Sequence, residues 1–152
     1  MTAESRSDND IYQLVVISDQ QYALPVQSII CVSALENILP LPKTPHWISG
    51  VVHIRNAIVP VINLNELINV GNPASKKPFT LGVLLRHPLD PGHWLVLCVT
   101  DIANVINKVE LAEMASRSPS HPCLINVLEN ESQTIQLLDI PRLFEQLIKE
   151  SD

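Results

Sequence analysis

A chain of 152 residues, 46% hydrophobic and 17% charged, is the size of one domain or of two small units sharing a core, and it can bury that core. A net charge of -6 with only ten basic residues spread along the chain excludes a nucleic-acid backbone as the main partner, since such binding draws on clustered Lys and Arg. Val, Ile and Leu dominate, aromatics are 4% and glycines number four, a composition that leans toward strands.

Residues 1–10, MTAESRSDND, are polar, lack a signal-peptide apolar region and read as a disordered tail. Short apolar segments follow, each closed by a turn signal: Ile11 to Ile17 before SDQQ, Tyr22 to Val26, Ile29 to Val32, Gly50 to Ile54 and Ala57 to Ile62. Lengths near five favour strands over helices. Pro40, Pro42 and Pro45 forbid regular structure across LPLPKTPHW. Asn63 with Glu66 three residues later predicts a capping box and a short helix to about Ile68, and GNPASKKP at 71–78 reads as a linker.

The pattern then restarts with Phe79 to Leu85, the loop HPLDPGH, Trp94 to Val99, Ile102 to Ile106, a polar stretch through SRSPSHP, Leu124 to Leu128 and Thr134 to Leu138. Leu143, Phe144, Leu147 and Ile148 share one helical stripe in DIPRLFEQLIKE, the signature of a docking C-terminal helix. No apolar run approaches the roughly 20 residues of a membrane helix, so a soluble cytoplasmic chain is expected.

The restart is a repeat. At the spacing of 76 that separates Gly50 from Asn126, WISGVVHIRNAIVPVINLNELI aligns with CLINVLENESQTIQLLDIPRLF without a gap. At the spacing of 73 that separates Ile29 from Ile102, Leu24, Val26 and Val32 meet Leu97, Val99 and Val105. Two copies of one five-stranded unit are expected, each closing into a small barrel that hides its edges.

Catalytic signatures are absent: no GxSxG elbow, no Gly-rich phosphate loop, and no HExxH or CxxC spacing. His46 and His53, like His87 and His93, lack a third ligand nearby in sequence and read as loop histidines, so no metal and no cofactor are expected. Cys31, Cys98 and Cys123 are odd in number and apolar in surroundings, which predicts buried reduced thiols. What remains is surface. Arg55 stands at the tip of an apolar hairpin, either solvated or an interface anchor. Asn56 beside it suits the positive φ of a tight turn, and the repeat-mate of Arg55 is Glu131.

Tyr22-Ala23-Leu24-Pro25-Val26, Leu39-Pro40-Leu41-Pro42, Trp47-Ile48-Ser49-Gly50-Val51-Val52, Ile54-Arg55, Pro60-Val61 and Leu64 resemble the CheW-like chemotaxis coupling family. Its central string runs Gly-Val-x-Asn-Leu-Arg-Gly, three residues, Pro-Val-x-Asp-Leu. The likeness continues through VTDIANVINK and LLDIPRLF and covers about residues 11 to 148. Five positions depart from it: Asn-Leu-Arg-Gly becomes His53-Ile54-Arg55-Asn56, the Asp before Leu becomes Asn63, and an acidic residue common two positions after Ile29 becomes Cys31.

The resemblance implies an all-β fold of two intertwined five-stranded barrels, with short helices after strand five and at the C-terminus. A single domain at 11–148 would hold barrel 1 at about 11–70, the linker at 71–78, barrel 2 at about 79–138 and a C-terminal helix at about 139–150. It further implies a non-catalytic adaptor that joins the cytoplasmic tip of methyl-accepting receptors to the regulatory domain of a CheA-type histidine kinase. Such an adaptor would be recruited to membrane arrays with flagellar or pilus-based output, without inserting in the membrane. Ile29, Val32, Gly50 and Arg55 are the implied contact residues, with Ile102 and Val105 lining a groove from the second barrel. The alternatives are a divergent paralogue that serves another signalling partner, and an enzyme or small-molecule-binding barrel that uses its histidine-bearing loops.

Overall fold

The computed structural model describes residues 11–68 and 79–151, and the expected tail at 1–10 and the whole linker at 71–78 lie outside them. The first copy of the repeat supplies β1 (Ile11–Ile17), β2 (Gln20–Pro25), a 3-10 turn (Val26–Ser28), β3 (Ile29–Ala34), β4 (Ile48–Ile54), β5 (Ala57–Ile62) and helix α1 (Leu64–Ile68). The second supplies β6 (Leu81–His87), β7 (Asp90–Val99), β8 (Asp101–Asn107), α2 (Lys108–Ala112), β9 (Ala115–Arg117), β10 (Leu124–Glu129), β11 (Thr134–Leu138) and α3 (Ile140–Ser151).

These strands form a six-stranded sheet in the order β8-β1-β2-β11-β10-β9 and a five-stranded sheet in the order β3-β6-β7-β5-β4. Contiguous barrels at 11–70 and 79–138 therefore describe the repeat in sequence and not the sheets. Each copy lends its first hairpin to the other: β1 and β2 pair with β8 and β11, while β6 and β7 pair with β3 and β5. The exchange has a physical cause. Strands β1, β2, β6 and β7 are apolar on both faces, so one face must line a barrel while the other packs on the neighbouring barrel. Leu14 and Ala23 enter the interior of the six-stranded sheet with Ile106, Leu128 and Ile135. Leu84, Val96 and Cys98 enter the other with Val52, Val59 and Val61. Between the barrels, Val15, Ile17, Tyr22 and Leu24 meet Val83, Leu85, Leu97 and Val99 in a shared seam.

The repeat holds at the level of single hydrogen bonds. Asn63 N donates to Trp47 O at 2.7 Å, and Asp139 N donates to Cys123 O at 2.7 Å, each pair displaced by 76 from the other. Parallel pairing of Val61 with Val96 recurs as Leu137 with Ala23. Even the bulges repeat: the step from Ile48 to Gly50 opposite β5 matches the step from Leu124 to Asn126 opposite β11.

Three local expectations change. Asn63 Oδ1 accepts from Glu66 N at 3.2 Å and caps α1, but its own N–H is committed to Trp47 O, so the reciprocal half of a capping box has no donor to bind. The complete box lies at Asn107 and Glu110, opening α2 inside a stretch that reads from sequence as polar loop. Cys31 is half-buried, whereas Cys98 and Cys123 are buried. Burial pushes the Cys98 thiol up to about 11, and burial with the nearby Asp139 carboxylate does the same for Cys123. In the native protein near pH 8, a thiol reagent should therefore modify Cys31 rapidly and the other two only after unfolding. Raised folded-state values also mean that the unfolded chain releases these protons first. Stability should hold below pH 9 and fall as pH rises through about 11, as read by denaturant midpoints across that window.

Candidate protein-binding site

The six residues singled out by the resemblance fall into three places. Ile29 and Ile102, repeat-mates at the starts of β3 and β8, are half-buried and pack against the seam between the barrels. Val32 and Val105, also mates, stand further along the same two strands at 42% and 56% exposure. Both strands are outer edges of their sheets, so these aliphatic side chains sit beside unpaired backbone.

Gly50 is not a surface residue. It is buried at the β4 bulge with φ +149°, and a Cβ there would lie 2.4 Å from Leu39 O. Its contribution is conformational: it lets the proline-rich connection lie against β4, where Leu39 and Val51 exchange hydrogen bonds of 2.8 and 2.9 Å.

Arg55 and Asn56 form the two-residue loop of the β4–β5 hairpin, and both have positive φ, 51° and 63°. This is the geometry of a type I′ turn, whose twist matches that of the flanking strands. Only Asn56 was expected to take that conformation. An Arg held there costs about 1 kcal/mol against a residue at ease in the left-handed region. The Arg55 side chain is exposed and has no hydrogen bond or ion pair among the described residues. Arg55→Asn should accordingly stabilise the fold by about 0.5–1 kcal/mol, measured as a higher denaturant midpoint, while removing the cation. In the second copy the corresponding turn runs from Asn130 to Gln133, with Asn130 Oδ1 accepting from Ser132 N and Gln133 N.

Two clefts flank the first-copy strands. One, of about 470 Å³, is walled by β5 (Ile58, Pro60), the β7 start (His93, Trp94), the proline-rich connection (Leu41) and α3 (Phe144, Ile148). Ile58 is 68% exposed there. In the second copy Thr134 and Gln136, the mates of Ile58 and Pro60, line a smaller hollow of about 210 Å³ together with Arg117 and Gln20. The same strand position thus carries an apolar residue in one copy and a polar residue in the other, so the fold does not require Ile58 to be apolar. Periodicity could not find this cleft, because its walls come from four separate segments.

The other cleft, also about 470 Å³, opens between the ends of β3 and β4, lined by Ser33 to Asn37 and by Val52 to Ile54, with Val96 at its floor. Val32 and Arg55 each stand one residue beyond its walls. Neither lines it, and Val105 stands on the other sheet.

Nothing in these places suggests covalent chemistry. Among the described residues no three His, Cys, Asp or Glu groups gather as a metal site. His93 Nδ1 lies 3.3 Å from Asp90 Oδ2, and the His87 ring packs 5.1 Å from that of Phe144. His121, its basicity lowered by burial, accepts from Cys123 N through Nδ1 at 3.0 Å. No helix among the described residues is long and apolar enough to cross a membrane.

Comparison with known proteins agrees with this geometry. The chemotaxis protein CheW of Thermotoga maritima (strain MSB8) is 25% identical over 140 residues, covering 86% of this chain and 85% of that protein. The chemotaxis protein CheW of Bacillus subtilis (strain 168) is 19% identical over 140 residues, covering 91% and 88%. The crystal structure of scaffolding protein TtCheW from Thermoanaerobacter tengcongensis superposes with a TM-score of 0.74 at 18% identity, over 90% of this chain and 88% of that one. Residues 12–147 match the CheW-like domain, and the chain belongs to that family.

Proposed function

We propose that this protein is a non-catalytic chemotaxis scaffold that joins a CheA-type histidine kinase, through the kinase's regulatory domain, to the cytoplasmic tips of methyl-accepting receptors. The supporting observation is the family membership over residues 12–147 together with a surface organised for contact. Exposed aliphatics lie on two sheet edges, and an unpaired Arg stands at a rigid hairpin tip. The backbone of Arg55 is held by its turn, so little backbone entropy remains to be lost on binding.

Of the family pattern, the acidic residue two positions after Ile29 is Cys31 here, half-buried in the barrel wall, so any charge offered to a partner comes from elsewhere. Val32 on the β3 edge and Arg55 at the β4–β5 turn are assigned to the kinase. Ile29 and Ile102 on the seam, with Val105, are assigned to the receptor helix. Co-sedimentation of the kinase with receptor-bearing membranes is the direct test. Kinase should pellet in a manner that depends on this protein, and equal pelleting without it would contradict the bridging role.

A further inference from the structure

The two copies of the repeat differ at one point of backbone pairing. In the second barrel β10 carries β9 on its outer edge, with Val127, Leu128 and Glu129 opposite Arg117, Ser116 and Ala115. In the first barrel the mate of Val127 is Val51, and on its outer edge it pairs, among the described residues, with Leu39 alone as an isolated bridge. The apolar plugs under the two edges also correspond: Leu35 and Ile38 are the mates, 76 residues earlier, of Leu111 and Met114. From plug to bridge the chain runs directly from Ile38 to Leu39, whereas from Met114 to Arg117 it passes through Ala115 and Ser116. The first copy is two residues shorter, and the missing two are those that would cover Val52 and His53.

Antiparallel pairing alternates along a strand. Because Val51 directs its N–H and C=O to Leu39, the next residue in phase on that edge is His53. Its backbone groups face the cleft between β3 and β4, above an apolar floor of Val52 and Val96. The exposed stretch carries neither a lysine nor a proline, the usual guards of an open edge.

We infer that this edge is a strand acceptor: a short extended segment of the partner adds antiparallel to β4, exchanging both backbone hydrogen bonds with His53. It takes the place that β9 holds in the second barrel. The recognised chemistry is a non-proline residue opposite His53 and a small apolar neighbour opposite Val52. This deepens the adaptor reading and rests on it, with the kinase regulatory domain as the segment's source.

Hydrogen exchange of the His53 amide, free and saturated with that domain, reads the pairing directly. Exchange should be fast in the free protein and at least about tenfold slower in the complex. Inserting Ala and Ser between Ile38 and Leu39, which rebuilds the missing pair from within, should slow the same amide without partner and weaken binding about tenfold or more. His53→Pro removes the outward N–H at an edge position where proline is tolerated, and should weaken binding while the fold persists. Binding that leaves His53 unprotected overturns the strand acceptor and spares the adaptor reading. A His53 amide already protected in the free chain overturns it too, since a segment of this protein then holds the edge. Absence of binding removes both readings.

Discussion

Gly50→Ala should destabilise the protein by about 3–5 kcal/mol, a large share of the ~5–15 kcal/mol typical of a folded domain. Two costs add. The backbone at φ +149° is one that L side chains rarely adopt, and the new methyl would stand 2.4 Å from Leu39 O and 2.8 Å from Leu39 C. Neither neighbour is the flexible end of a side chain. Relief requires breaking the Leu39–Val51 bridge, which unseats the connection that covers β4. At the matching bulge in the second copy the residue is Asn126, whose Nδ2 donates to Ser116 Oγ at 3.0 Å, because β9 brings a small polar side chain there in place of a carbonyl. A thermal midpoint lower by roughly 10 °C is the expected readout; a shift of only a degree or two would mean that Leu39 does not press on Gly50.

Leu97→Ala should cost about 2–5 kcal/mol and, more tellingly, should leave unfolding as one transition. Leu97 is fully buried in the seam, on a strand of the second copy that completes the first copy's barrel. Because each sheet contains a hairpin from the other half, neither barrel can open without stripping strands from its neighbour. Its mate Leu24, in the same seam, should respond by a similar amount. Fluorescence reports on the first barrel through Trp47 and Trp94, and far-ultraviolet dichroism reports on both. Separate midpoints from the two probes would contradict the shared seam.

Much of this architecture is legible in the sequence because it is written twice. Short apolar segments closed by turn signals and the 76-residue spacing locate the strands, and the hydrogen bonds of Asn63 and Asp139 obey that spacing. The exchange of hairpins is not legible, since periodicity says that Val15 and Leu84 are buried and not which strand lies beside them. Helix α2 was hidden by its exposed charges, although Asn107 and Glu110 at capping-box spacing mark its start. For the site, the Arg55 turn can be read locally. Gly50 could be mistaken for a contact because a glycine's environment is invisible in one dimension. The bare edge at His53 emerges only when the pairing of β4 is compared with that of β10, a difference of two residues within a proline-rich connection.

The adaptor reading is tested most directly by calorimetric titration with the regulatory domain of the CheA-type kinase from the same organism, using the wild type and Arg55→Ala. Saturable binding is expected, weakened severalfold by the substitution while the thermal midpoint stays within a degree or two, as for an exposed side chain. A well-folded protein that gives no binding heat at several temperatures would contradict the account and leave the CheW-like fold serving a different partner.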